Sequence, residues 1–191
     1  MSVCVGIVGQ GYVGLPMAIA AAASGFEVIG IDTDEKKVAT IMSGRSTIED
    51  LSDLEIKAQI GRGKYLVSTD FKKLSFAKII LVCVPTPLST NRKPDLSYFI
   101  SAIESVSKVI GKNTLIIIES TVEPGTTRNL VLPILEKGSK LNSNEFELAF
   151  SPERVDPSNQ LWIIRNTPKI VSGLTRESKT HASNFYKKII G

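Results

Sequence analysis

Val3-Cys4-Val5-Gly6-Ile7-Val8-Gly9-Gln10-Gly11-Tyr12-Val13-Gly14 runs an apolar stretch straight into a glycine-rich turn. A helix-like segment follows from Leu15 to Ala23, then a second apolar run, Phe26 to Ile31, that ends on Asp32. Strand, glycine turn, helix, strand and acid, in that order, form the layout that cradles a dinucleotide pyrophosphate. Gly9 permits the tight turn out of the strand, and Gly11 keeps a Cβ away from the phosphates. Gly14 lets the helix pack closely on the strand. The free N–H groups and positive end of that helix then face the phosphates. Pro16 suits the first helical turn, where its missing N–H has no intrahelical partner to lose. Asp32 lies 18 residues past Gly14, close to the expected spacing of about 20. Its carboxylate accepts from ribose hydroxyls and repels a 2′-phosphate, which points to NAD as the cofactor rather than NADP.

Beyond Asp32, apolar runs and helical patterns keep alternating. Strands are expected at 3–8, 27–31, 65–68, 78–84, 114–119, 147–150 and 169–172. Helices are expected at 13–24, 34–43, 51–61, 96–110, 126–136 and 175–189. This alternation predicts an α/β, Rossmann-like, doubly wound and mostly parallel sheet with helices on both faces, spanning 1–191 as one domain. Ile79–Val84 and Leu115–Ile118 lack polar alternation, as central strands buried on both faces do. In such sheets ligands bind beyond the carboxyl ends of the strands. Three strand exits therefore matter most. They are Cys83-Val84-Pro85-Thr86-Pro87-Leu88, Glu119-Ser120-Thr121-Val122-Glu123-Pro124-Gly125-Thr126-Thr127, and Ser151-Pro152-Glu153-Arg154-Val155-Asp156-Pro157. In the second, Thr126 is placed to cap the next helix.

Composition excludes several classes. The net charge is +4, with four Lys/Arg against eight Asp/Glu in residues 1–60 and 19 against 11 in the remainder, so the second part suits a phosphate-bearing ligand. No basic helix, aromatic RNA-binding signature or zinc-finger spacing supports nucleic-acid binding. The Ala-rich segment after Pro16 is too short to span a bilayer, which argues against a membrane role. The first basic residue is Lys36, so no signal peptide is expected and the chain reads as cytoplasmic. Cys4 and Cys83 lie in apolar runs without metal or redox spacing, and are expected to be buried structural cysteines, with no metal site. His181, the single histidine, is expected at the surface.

Gly9-Gln10-Gly11-Tyr12-Val13-Gly14-Leu15-Pro16, Val84-Pro85-Thr86-Pro87, Ser120-Thr121-Val122 with Pro124-Gly125-Thr126-Thr127, and Ser151-Pro152-Glu153-Arg154 together resemble the nucleotide-sugar 6-dehydrogenases. The resemblance spans essentially the whole chain. The Ser-Pro-Glu-Arg form looks more like the branch acting on UDP-N-acetylhexosamines (UDP-GlcNAc or UDP-ManNAc) than the UDP-glucose branch. It implies oxidation of a C6 alcohol to a uronic acid with two NAD, for surface polysaccharide precursors. By resemblance, Gly9 to Gly14, with Gln10, Tyr12 and Val13, would line the pyrophosphate turn. Asp32 would take the adenosine ribose, helped by Lys37. Pro85, Thr86, Ser120 and Thr121 would line the cofactor, and Thr121 would also orient a water or the substrate hydroxyl. Glu153 would be an acid/base group, and Arg154 and Val155 would contact the UDP-sugar.

Ser158 and Ser172 depart from glycines expected in the family, and would carry strain if either site needs φ > 0. The family holds the aldehyde on a cysteine, which requires a thiolate near the nicotinamide. Cys4 lies inside the first strand, and Cys83 is expected within a strand ahead of the ligand edge. The catalytic Cys, its Lys and Asn partners and most of the UDP site are expected after Gly191. The chain alone is therefore expected to be inactive. The full-length form is expected to be a homodimer, paired through a middle helix, and these 191 residues a monomer. Two alternatives stay open: a β-hydroxyacid-type NAD dehydrogenase domain, and a non-catalytic NAD-binding module.

Overall fold

Short apolar runs rich in valine and isoleucine become the strands of one sheet. The structure, a computed structural model, describes residues 3–89, 91–153 and 167–190. The strands are β1 (Cys4–Val8), β2 (Glu27–Ile31), β3 (Tyr65–Ser68), β4 (Ile79–Val82), β5 (Leu115–Ile118), β6 (Glu147–Phe150) and β7 (Ser172–Gly173). They lie in the order β3-β2-β1-β4-β5-β6-β7. All neighbours pair in parallel except β7, which runs antiparallel to β6. The chain winds outward from β1 to β3 and then returns to β4 on the other side of β1. That reversal leaves a crevice between the β1 and β4 exits.

The register lines up the exits. Ile31, Val8, Val82, Ile118 and Phe150 are successive partners across the sheet. The residues that follow them are Asp32, Gly9, Cys83, Glu119 and Ser151, so these stand in a row along one edge.

The helices are α1 (Gly14–Ala23), α2 (Glu35–Met42), α3 (Asp53–Gly61), α4 (Ser97–Ser107), α5 (Leu132–Ser139) and α6 (Arg176–Ile189). One apolar core joins the sheet to residues of α1, α2, α3 and α6, and a second joins it to α4, α5 and Leu74. Both sheet faces are thus covered, as the unbroken apolar runs require. The small side chains of α1 let it bury eight of its ten residues, while α3 and α6 start on capping boxes at Ser52 and Thr175.

The structure departs from the expected elements in several places. β4 and β5 stop at Val82 and Ile118, because β1 leaves the sheet at Gly9 and pairing ends there. Cys83 therefore stands past its strand, at the ligand edge, and not ahead of it. The last strand is only Ser172–Gly173, since pairing with β6 begins at Ser172. The expected helix 126–136 is a π-helical stretch, Thr127–Val131, running into α5. Pro133 has no N–H to give the turn before it, which breaks the α ladder. Thr126 is helical itself and makes no side-chain cap. A 3₁₀ stretch at Phe71–Phe76 lay outside the expected elements. Ser172 is not among the described residues with positive φ, so the strain expected there is absent. Ser158 lies outside the described residues.

At Gly14, a Cβ would fall 1.8 Å from the Gly9 carbonyl oxygen. Gly14→Ala should cost about 1–3 kcal/mol through overpacking, despite its better helix propensity. A urea midpoint equal to that of the wild type would contradict this.

Candidate functional site

Asp32, the first residue past β2, is only 8% exposed. Its Oδ2 accepts from the Gln10 backbone N–H and from Lys37 Nζ, both at 2.8 Å, and its Oδ1 accepts from the Asp34 N–H at 3.0 Å. A carboxylate offers about four acceptor positions, so capacity remains for a hydroxyl. Lys37 arrives there because Asp34 caps α2, accepting the N–H groups of Lys36 and Lys37. A cleft of about 290 Å³ opens beside Asp32 and Lys37, walled by Phe71, Pro85, Tyr98 and Ala102.

The glycine turn lies next to it. Gly9 adopts φ +89°, and a Cβ on it would come within 2.6 Å of the Cys83 carbonyl oxygen. A Cβ on Gly11 would meet nothing within 4 Å; it would project into open space that a ligand can fill. The N-cap residue of α1, Val13, makes no side-chain cap and no acidic residue lies in the helix's first turn, an N-terminus suited to an anion. Tyr12 and Val13 line a second, adjoining cleft of about 380 Å³. Gln10 differs from its neighbours in the turn. It is fully buried, with its amide donating to the Ile7 carbonyl and accepting from the Tyr65 hydroxyl.

This second cleft continues past Pro85, Thr86, Ser120 and Thr121 to Glu119 and Glu153. Its walls are stitched together. The Ser120 hydroxyl donates to the Val84 carbonyl at 2.7 Å, and the Thr86 hydroxyl donates to the Thr121 carbonyl at 2.9 Å. At the far end, Lys169 Nζ lies 2.6 Å from Glu119 Oε2 and 2.8 Å from Glu153 Oε2. All three side chains are at most 8% exposed. The Tyr186 hydroxyl donates to the other oxygen of Glu119.

Burial pushes the Glu119 carboxyl above its ordinary value, and the Lys169 and Tyr186 donors pull it back. Burial opposes the charge on Lys169 too, but Glu119 and Glu153 outweigh it and hold its pKa above the usual lysine value. Lys169 thus stands between two carboxyl groups, within hydrogen-bond distance of both. Cys83 borders this cleft and is partly buried, like Cys4. Burial, with Glu119 beside it, pushes the Cys83 thiol well above its ordinary value.

Every expected site residue among the described residues lines one of these clefts except Gln10, which lies beneath them, and Gly14, which packs on Gly9. Arg154 and Val155 lie outside the described residues. Sequence reasoning missed Lys169, Tyr186 and the role of Glu119. The available signal was a charged residue ending the all-apolar run Leu115–Ile118, a position that demands a partner. His181 is exposed, as expected, with its ring 2.8 Å from Glu147. No cluster with metal-binding composition and no helix long and apolar enough to cross a membrane occurs among the described residues.

The description "UDP-glucose/GDP-mannose dehydrogenase family, NAD binding domain" matches residues 1–190. The chain belongs to that family. It is 34% identical over 189 residues to the UDP-N-acetyl-D-glucosamine 6-dehydrogenase of Pseudomonas aeruginosa, a match covering 97% of this chain and 43% of that protein. A solved structure of UDP-D-ManNAc dehydrogenase from Pyrococcus horikoshii superposes with a TM-score of 0.92 at 34% identity, over 98% of this chain and 45% of that one. The chain thus spans less than half the length of these relatives. An (S)-3-hydroxybutyryl-CoA dehydrogenase from Ralstonia eutropha, at 16% identity and a TM-score of 0.65, shares the fold alone.

Removing Lys169 takes a buried cationic partner from both Glu119 and Glu153. Lys169→Met should therefore cost about 3–5 kcal/mol of stability, measured by urea unfolding. A loss under about 1 kcal/mol, the range of a surface pair, would show that the charges are not buried as described.

Proposed function

We propose that these 191 residues form the cofactor half of a UDP-N-acetylhexosamine 6-dehydrogenase, binding NAD across the glycine turn. The residues fit the group: Gly11 leaves space open at the turn, α1 presents an uncapped N-terminus, and Asp32 keeps acceptor capacity beside a cleft. NAD supplies the hydride acceptor. Asp32 and Lys37 hold its adenosine ribose, and the Gly9–Gly14 turn holds the pyrophosphate. Pro85, Thr86, Ser120 and Thr121 flank the nicotinamide half.

The observation that carries the reading beyond nucleotide binding is Glu153 at the far end of the second cleft, its carboxylate steered by Lys169. In this reading it takes the proton that leaves an alcohol as its carbon gives up hydride. Thr121 orients the hydroxyl or a water, and Arg154 and Val155 contact the UDP-sugar. Relatives named for UDP-N-acetylglucosamine and UDP-N-acetylmannosamine support that substrate class.

A two-step oxidation to an acid also asks for a thiolate. Cys4 stands at the amino end of β1, away from the cleft, and the partly buried Cys83 thiol, raised well above its ordinary value, resists ionisation. The chain by itself therefore binds NAD and does not turn over.

Calorimetric titration tests the binding. NAD should bind saturably, and Asp32→Ala should weaken it about tenfold or more, the loss of one or two charge-assisted hydrogen bonds. No binding by the folded wild-type chain would refute the assignment. Steady NADH formation by the same chain from NAD and either UDP-N-acetylhexosamine would refute the claim that it cannot turn over.

A further inference from the structure

Beneath the glycine turn, a buried polar chain runs from the edge strand β3 to the Asp32 carboxylate. The Tyr65 hydroxyl donates to Gln10 Oε1 at 2.6 Å. Gln10 Nε2 donates to the Ile7 carbonyl at 2.8 Å and to the Gly9 carbonyl at 3.3 Å. Carbonyls only accept, so they decide which end of the amide is the NH₂ and leave its oxygen for the phenol. The backbone N–H of Gln10 then goes to Asp32 Oδ2 at 2.8 Å.

The arrangement excludes alternatives sterically. A Cβ on Gly30 would lie 2.7 Å from the Gln10 amide and 2.8 Å from the Tyr65 hydroxyl. The middle of β2 therefore has to be bare where amide and phenol pass. Gln10 and Tyr65 are 0% and 4% exposed, and neither borders the clefts. Burial and the nearby Asp32 charge push the Tyr65 phenol up, which keeps it a donor. An apolar pair of the same shape would replace the phenol–amide bond at little cost, but it would take the amide's donors from the Ile7 and Gly9 carbonyls.

We propose that Tyr65 and Gln10 are positioning residues for cofactor recognition. The phenol locks the amide, the amide locks the turn, and the Gln10 N–H holds the Asp32 carboxylate where it accepts from the adenosine ribose. Neither side chain touches the ligand. The inference rests on Asp32 as the ribose acceptor, and the experiment separates the two claims.

The affinities of NAD and of 2′-deoxy-NAD, which lacks the adenosine 2′-hydroxyl, are measured by calorimetry on the 191-residue chain. The wild type should prefer NAD by about tenfold, the loss expected for one hydrogen bond to a charged group. Tyr65→Phe keeps the ring and removes the donor. It should weaken NAD several-fold, leave 2′-deoxy-NAD nearly unchanged, and so bring the ratio toward one. Gln10→Met combined with Tyr65→Phe leaves no orphaned amide. Its thermal midpoint should exceed that of Tyr65→Phe, while the ratio stays collapsed.

If Tyr65→Phe weakens both ligands equally, or keeps the wild-type ratio, the pair is structural only and the proposal fails. If the double variant regains the wild-type ratio, stability and not positioning was at work, and the proposal fails as well. A wild type that binds both ligands alike overturns the reading of Asp32 itself, and that result is visible before any variant is made.

Discussion

Gly9 stands where three strand exits meet, and it has no room for a side chain. Its N–H donates to the Ile31 carbonyl at 2.7 Å, which ties the end of β1 to β2. On its other side a Cβ would press into the Cys83 carbonyl at the end of β4. The positive φ at Gly9 is what lets the chain leave the sheet there and enter α1. Most of the site's geometry follows from that turn. The start of α1 is aimed over the crevice, Asp32 is brought under the turn to meet the Gln10 N–H, and the chain reversal between β1 and β4 becomes an accessible cleft. A larger residue would push apart the strands whose alignment places every other group along the edge.

The two ends of the cleft handle charge in different ways. At Asp32 the carboxylate is held by two backbone N–H groups and one partly exposed lysine. Backbone donors cost little to arrange and leave acceptor capacity for a ligand. At Glu119 the carboxylate is buried against Lys169 and Tyr186. A buried pair of this kind is weak evidence for stability, since desolvation offsets much of the attraction. Its clearer consequence is geometric. One ammonium held between two carboxylates fixes the direction of Glu153, and lysine's three donors allow it to serve both at once. Burial, with the neighbouring Glu119 charge, also pushes the Cys83 thiol well above its ordinary value.

Much of the architecture was legible in the residues. Val-, Ile- and Leu-rich runs bounded by turn residues fixed the strand positions to within a few residues, and the helical patterns between them placed the helices. What escaped depended on neighbours distant in the chain. β4 ends at Val82 because β1 turns away at Gly9, a fact about a strand some 70 residues earlier. The π-helical stretch before α5 follows from Pro133, but its form depends on how the freed carbonyls are accommodated. Gln10 reads as a cofactor contact by position, and only the packing of β2 and β3 turns its side chain inward to Tyr65. Lys169 looks like any other surface lysine in sequence, and gains meaning only when Glu119 and Glu153 surround it.

The sequence by itself determined the glycine turn, the acid after the second strand, the alternation that demands a parallel sheet covered on both faces, and hence the cofactor class. Those features are local: they depend on φ at single residues, on missing side chains, and on spacing along a strand or helix. The tertiary structure alone decided that Tyr65 stands behind Asp32, and that Glu119, Glu153, Lys169 and Tyr186 share one buried cluster. Such contacts join residues 16 to 67 positions apart. Nothing in the local pattern records them, because the partner that makes burying a charge or an amide tolerable is supplied only when the sheet closes.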